Sequence, residues 1–155
     1  MKNKIFIFLG LFIFVGCQQK CKIYKLTVEI KDKDYLRYTE YYVVDNPPES
    51  RDTLIKYIVD YNSKTLLSRQ NEIKKYTRFI QVFYQETFGI NRNYKPSFFF
   101  FDIDDIRETY SHEEDRILTL IHKMEEDNCL NCSKAPYFIG EGKYNGTGKF
   151  NTIIK

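Results

Sequence analysis

Between Ile23 and Lys31 the chain alternates without a break. Tyr24, Leu26, Val28 and Ile30 fall on one side, and Lys25, Thr27, Glu29 and Lys31 on the other. A period of two is the mark of a strand with one buried face. Tyr35 to Val44, rich in aromatic and β-branched residues, reads as a second strand. The charged stretch Lys31-Asp32-Lys33-Asp34 between them reads as a turn, so the two strands are predicted to form a hairpin. A sheet with one apolar face must bury it against a second layer, and the rest of the chain is read for that layer.

Asp45-Asn46-Pro47-Pro48 breaks the sheet, and a helix is expected over Glu49–Tyr61. Asn46 can cap it, proline is tolerated in a first turn, and Glu49 suits the positive helix end. Leu54, Ile55, Ile58, Val59 and Asn62 lie at helical spacing, the first four making an apolar face. Residues 62–72 are mostly polar, with Leu66 and Leu67 the exceptions, and read as loop or a frayed turn. Lys75 to Thr87 reads as a third strand ended by Gly89, Asn91 to Ser97 as a loop with Pro96, Phe98 to Phe101 as a short apolar run and Asp102 to Tyr110 as a short helix. The segment 111–127 carries two patterns. Ser111-His112-Glu113-Glu114 matches a capping box ahead of an apolar helical face, yet Arg116–Lys123 is short and holds β-branched Ile117, Thr119 and Ile121. The sheet's need for strands favours a strand there. Asn145-Gly146, between Tyr137–Tyr144 and Thr147–Ile154, is a type I′ turn signal. The expected fold class is α+β: a mainly antiparallel β-sheet with one principal helix, about residues 49–61, packed on one face.

The N-terminus follows a different logic. Lys2 and Lys4 precede Ile5–Val15, a run that is apolar apart from Gly10. Its length and flanks are those of a signal-peptide core, and it falls well short of the about 20 residues that span a bilayer. The run ends in Phe14-Val15-Gly16-Cys17, followed by polar Gln18-Gln19-Lys20. Val15-Gly16-Cys17 resembles the lipobox of bacterial lipoproteins, a small residue just before an obligatory cysteine, although Phe14 stands where leucine is usual. The resemblance spans about twenty residues and implies diacylglyceryl transfer to the Cys17 thiol, cleavage after Gly16 and acylation of the new amino group, with palmitate as a usual chain. One acyl chain holds a protein only marginally, at about 0.8 kcal/mol per buried CH₂, whereas two or more anchor it stably. An ordinary cleaved signal would leave Cys17 as a structural thiol, but a cysteine at the end of the apolar run favours lipidation. Residues 1–16 are therefore expected to be a cleaved lipoprotein signal peptide, 17–22 a lipidated tether and 23–155 a single α+β domain. In some bacteria an aspartate after the lipidated cysteine implies retention at the inner membrane; Gln18 favours the outer membrane.

Removing Lys2 and Lys4 from the 24 basic residues leaves 22 against 21 acids. A body so near neutrality argues against nucleic acid as a partner, since such binders show a strongly basic face. The 13 tyrosines and the phenylalanines outside the signal suit a sheet-rich core, and only two histidines are present.

Several constellations invite chemistry. Cys129-Leu130-Asn131-Cys132 is a CxxC, which in an exported protein can be redox-active. Pro136 follows four residues on and no amphipathic helix clearly does, so a disulfide of Cys129 and Cys132, local or linked to Cys21, is the better reading in an oxidising compartment. With Cys17 lipidated, three thiols remain, and Cys21 could link two copies into a dimer. Zinc could use Cys129 and Cys132 with Cys21 or His122, but the second half of a zinc motif is missing. Asp102-Ile103-Asp104-Asp105 suggests calcium, yet Ile106 falls where an oxygen ligand belongs and Arg107 where glycine is needed. Ser111-His112 pairs two triad residue types, but adjacency is not triad geometry. His122 reads as a packed histidine with one satisfied nitrogen. Gly140, Gly142, Gly146 and Gly148 lack the Gly-Lys-Ser/Thr ending of a phosphate loop and suit a hairpin with bulges. Tyr35, Tyr38, Tyr41, Tyr42, Tyr76 and Tyr84 could present a stacking surface for glycan or protein, or bury their rings. These readings favour an anchored binding or structural module of the cell envelope with an envelope protein as partner and no cofactor. The alternative is an envelope enzyme using the Cys129/Cys132 thiols or a metal at Asp102–Asp105.

Overall fold

The computed structural model describes residues 20–32, 36–94, 113–124 and 136–151. The chain forms β1 (Lys22–Asp32), β2 (Arg37–Asp45), α1 (Arg51–Thr65), α2 (Gln70–Ile73), β3 (Arg78–Gln85), β4 (Arg116–Met124), β5 (Tyr137–Gly140) and β6 (Gly146–Lys149). Among the described residues the strands lie in sequence order in a single six-stranded sheet. Neighbours run antiparallel except β2 and β3, which are parallel in the register Arg37↔Arg78 to Val44↔Gln85. The fold is thus α+β with a mostly antiparallel sheet. A parallel pair needs a crossover rather than a tight turn, and the segment carrying α1 and α2 supplies it.

The first hairpin follows the alternation. Lys22↔Asp45 and Asp32↔Arg37 close its two ends, with an irregularity between Lys25 and Glu29. Leu26 joins Tyr41, Val43, Val82, Tyr84 and Ile90 in one buried cluster, with Tyr24 packed against it. Strand periodicity then sends Lys25 to the opposite face.

The helix departs from expectation at both ends. Ser50, not Asn46, is the N-cap, accepting from the Thr53 amide at 3.4 Å. Asn46 instead takes φ +47°, a left-handed turn that asparagine tolerates, where β2 ends. The helix also runs four residues beyond Tyr61, through the polar Asn62-Ser63-Lys64-Thr65. Those residues read as loop because their side chains compete for backbone partners. Here Ser63 Oγ donates to the Asp60 carbonyl, and the Leu66 amide donates to the Asn62 carbonyl, so the last turns close on themselves. The expected loop over 62–72 is therefore the end of α1, a 3-10 turn at Leu67–Arg69 and the single turn α2. Leu66 and Ile73 hold this stretch down by burying completely with Tyr38 and Phe79.

Residues 116–124 form a strand, led in by a 3-10 turn at Glu113–Asp115. The last hairpin is a correction. Asn145 has φ −48°, so the type I′ turn, which needs positive φ at both central residues, does not form. The connection is longer, with a 3-10 turn at Gly142–Tyr144 between β5 and β6. Two glycines make it possible. A Cβ on Gly140 would lie 2.1 Å from the Tyr144 carbonyl oxygen. Gly146, at φ +140°, faces the Arg51 guanidinium, which donates to the Asn145 carbonyl at 2.9 Å.

Leu54 and Ile58 of α1 share the largest buried cluster with Tyr42, Val44, Phe83, Leu118, Leu120, Phe138 and Tyr144. Ile58 is fully buried there, whereas Ile55 is only half-buried. Ile58→Ala should lower stability by about 3 kcal/mol, and Ile55→Ala by less than about half of that. Urea titrations should show the difference as a lower midpoint at unchanged slope for Ile58→Ala.

Candidate functional site

The side of the sheet that carries Tyr42 and Val44 also holds a polar centre. Along β2, Tyr38, Glu40, Tyr42 and Val44 share one face. Glu40 has no solvent exposure. Its Oε1 accepts from Tyr38 Oη at 2.7 Å, Lys25 Nζ at 2.6 Å and the Arg69 guanidinium at 2.7 Å. Its Oε2 accepts from Tyr42 Oη at 2.6 Å and Gln81 Nε2 at 3.3 Å. Arg69 also donates to Tyr38 Oη at 2.6 Å.

The network extends through an amide. Gln81, directly opposite Glu40 in the β2–β3 register, donates from Nε2 to Tyr42 Oη at 3.0 Å and to Asn62 Oδ1 at 3.2 Å. Its Oε1 accepts from Asn62 Nδ2 at 2.7 Å and meets His122 Nε2, also at 2.7 Å. With Oε1 as acceptor, His122 must carry its proton on Nε2. The His122 ring stacks on Phe79, with centroids 4.8 Å apart, and meets Phe150 edge-on. Residues of β1, β2, α1, the following 3-10 turn, β3 and β4 thus converge on one carboxylate.

Burial alone raises a carboxyl pKa, but hydrogen bonds from Lys25, Tyr42, Tyr38 and Arg69 outweigh it and hold Glu40 at about 2. Burial pushes the Tyr42 hydroxyl far up, helped by the neighbouring Glu40 charge. Burial also lowers His122 to about 3, against a smaller opposing pull from Glu40. General acid–base chemistry works best with a pKa near the working pH. Glu40 stays ionised and His122 neutral across the neutral range, so the centre is built to hold elements together rather than to move protons.

Sequence reading placed only part of this. His122 is the packed histidine expected, with Nε2 engaged. Tyr38, Tyr41, Tyr42 and Tyr84 are buried and Tyr76 is half-buried, so they form no exposed stacking surface. The rings pack within the protein, as between Tyr42 and Phe83, 4.8 Å apart. Tyr35 lies outside the described residues, as do Cys17, Cys129, Cys132, the Asp102–Asp105 cluster and Ser111-His112. Cys21 has a free, half-buried thiol. Burial, then the Asp45 charge, raises it to about 11, which leaves little thiolate for disulfide exchange. Gly140 and Gly146 serve the last hairpin. Among the described residues no cluster of His, Cys, Asp or Glu is arranged to hold a metal ion. Nor is any helix among them long and apolar enough to cross a membrane.

Glu40, Lys25, Arg69, Gln81 and Asn62 belong to no sequence motif that marks a site. The signal was present as polar residues in phase with core positions: Glu40 between Tyr38 and Tyr42, Gln81 between Phe79 and Phe83, and Asn62 four residues after Ile58. Compared with known protein families, curated proteins and solved structures, the chain matches none.

Both depressed pKa values make the fold acid-sensitive. An unfolded histidine protonates near pH 6.5 and an unfolded glutamate near 4.3, so the unfolded state binds the extra proton first in each case. The His122 contribution is full above about pH 6.5 and is lost as pH falls toward 3. The Glu40 contribution, of the order of 3 kcal/mol, is full above about pH 4.3 and is lost toward pH 2. Urea midpoints measured from pH 7.5 to 4.5 should fall in the wild type and stay flatter in His122→Gln. At pH 7, Glu40→Gln should be destabilised by roughly 3 kcal/mol, because Lys25 and Arg69 lose their shared anion.

Proposed function

We propose that the protein is a lipoprotein of the bacterial cell envelope, anchored through lipid on Cys17, whose body acts as a binding or structural module rather than an enzyme. The observation that carries this reading is Val15-Gly16-Cys17 at the end of the apolar run Ile5–Val15, with lysines before it and polar residues after. Met1–Gly16 would be removed, residues 17–22 would tether, and residues 23–155 would form one domain. Gln18 favours the outer membrane over retention at the inner one. The near balance of charge in the body weighs against nucleic acid, and an envelope protein would be its partner.

The buried centre fits a structural role for the sheet. Its donors and acceptors are engaged with one another, and its titratable groups sit far from neutrality. In this reading the sheet, with one principal helix on a face, is a rigid scaffold that presents its ends and loops to the envelope.

The chain expressed in bacteria with radiolabelled palmitate decides the anchor. Label should enter the wild type, and the intact mass should show loss of Met1–Gly16 together with added acyl groups. Cys17→Ser should take up no label and keep its N-terminal segment. Equal labelling of the two chains, or none in either, would remove the basis for the reading.

A further inference from the structure

The exposed tip of the loop after β3 is placed to touch the membrane from which the tether would arrive. Phe88 is fully exposed, at 102 % of its reference surface, far beyond Leu67 at 61 % and Leu36 at 45 %. Its turn is well braced. The Thr87 amide donates to the Ile90 carbonyl at 2.8 Å, the Ile90 amide to Thr87 Oγ1 at 3.2 Å, and Asn91 Nδ2 to the Phe88 carbonyl at 3.2 Å. Ile90 is buried beneath, against Val43 and Val82. Arg92 clamps the far side of the loop. It grips Glu86 with two bonds, of 2.9 and 2.7 Å, reaches Asp45 at 3.2 Å and Tyr24 Oη at 2.7 Å, and lies over the Tyr24 ring. A phenylalanine held out into solvent by a turn tied at so many points is a presented group.

The sheet register says where it is presented. Lys22, the first residue of β1, pairs with Asp45 at the end of β2. Val44 pairs with Gln85 at the end of β3, because these two strands are parallel, and the Glu86 amide donates to the Val44 carbonyl. Phe88 therefore leaves the sheet at the end where the chain enters it, two strand spacings or about 10 Å across. From Cys17 to Cys21 the chain can extend at most about 14 Å. A lipid on Cys17 keeps this end of the sheet next to the bilayer.

We infer that Phe88 is a second membrane contact, inserting its ring into the interfacial layer of the bilayer that holds the Cys17 lipid. The inference rests on the anchor reading above. Arg92 is matched by Glu86 and Asp45, and Asp115 stands at the loop, where Thr87 Oγ1 donates to it at 3.3 Å. Lys20 and Lys22 are the cations nearest the tether. Among the described residues this end shows no cationic excess for anionic headgroups, so the contact is apolar and works on neutral lipid.

The chain has no tryptophan, so a single substitution supplies a unique reporter. Full-length Phe88→Trp and Leu67→Trp chains are purified from bacterial membranes and reconstituted in phosphatidylcholine vesicles, with and without brominated acyl chains. Leu67 follows α1, whose 15 residues run about 22 Å away from the tethered end. Arg69, two residues on, reaches Tyr38 near the start of β2. Intact mass records the lipid on Cys17 in each sample. The expected result is emission shifted to shorter wavelength and quenched by brominated lipid for Phe88→Trp, unchanged at high salt, and neither effect for Leu67→Trp. A lipidated, vesicle-bound Phe88→Trp chain with unshifted, unquenched emission overturns the tip contact and leaves the anchor standing. Equal quenching of the two chains also overturns it, since the domain would then have no fixed end toward the bilayer. An unmodified Cys17 with the chain in the supernatant overturns both proposals together.

Discussion

The described fold turns on one carboxylate. Glu40 sits without solvent in the middle of β2, and a charge in that position is costly unless it is paired and hydrogen-bonded. The five donors around it come from β1, β2, the turn after α1 and β3. Gln81 passes the constraint on to Asn62 of α1 and His122 of β4. A buried ion pair is often no more stabilising than a well-packed apolar replacement, and its better-attested use is to fix a register. That use fits the geometry here. A one-residue slip of β3 against β2 would turn Gln81 to the other face and leave the Glu40, Tyr42, Asn62 and His122 groups without their shared amide.

The same centre explains how the crossover docks. A parallel pair has no short turn to set its register, so the connecting segment must be held by its own contacts. Leu66 and Ile73 supply apolar burial beside Phe79, and between them Arg69 reaches back to Glu40 and Tyr38. Lys25 completes the arrangement from β1, its ammonium on Glu40 beside the Tyr38 ring. Arg69 and Lys25 are each about one-third exposed, so the charges balancing the buried anion keep part of their hydration. This partial exposure lets a single carboxylate serve two cations without burying a net charge of its own.

Where the sequence was legible, a local period carried the information. Alternation at 23–31 placed β1, with Tyr24 and Leu26 on one face and Lys25 on the other, and the Leu54/Ile58 spacing placed α1. Short β-branched content favoured β4 over a capping box. Legibility failed where a tertiary partner overrode a local preference. Asn62-Ser63-Lys64-Thr65 has the composition of a loop, and it stays helical because Asn62 is engaged by Gln81, a residue 19 positions away. Asn145-Gly146 has the composition of a type I′ turn, but Tyr144 is drawn into the core and its hydroxyl donates to the Pro48 carbonyl at 2.8 Å, which lengthens the connection. Glu40 and Gln81 were visible as polar interruptions of apolar strands. Nothing local says that such interruptions face one another, because their meeting depends on β2 and β3 being parallel neighbours, and that pairing is set by the crossover.

The edges of the sheet bear on how it could meet another chain. Among the described residues, the order β1 to β6 leaves β1 and β6 as the two edges. Edge strands invite pairing with another chain unless they are short, irregular or charged. β6 has four residues, two of them glycine. β1 is longer, but it is irregular between Lys25 and Glu29 and carries Lys22, Lys25 and Lys31. Each edge therefore opposes strand addition by a different device. Among the described residues, the exposed large apolar side chains lie at the ends of the strands. At one end the braced loop of residues 86–94 holds an aromatic ring in solvent, and at the other Leu36 and Leu67 are exposed beside the crossover. Between those ends the Glu40 and Gln81 network ties β1, β2, β3 and β4 to α1 and the turn after it.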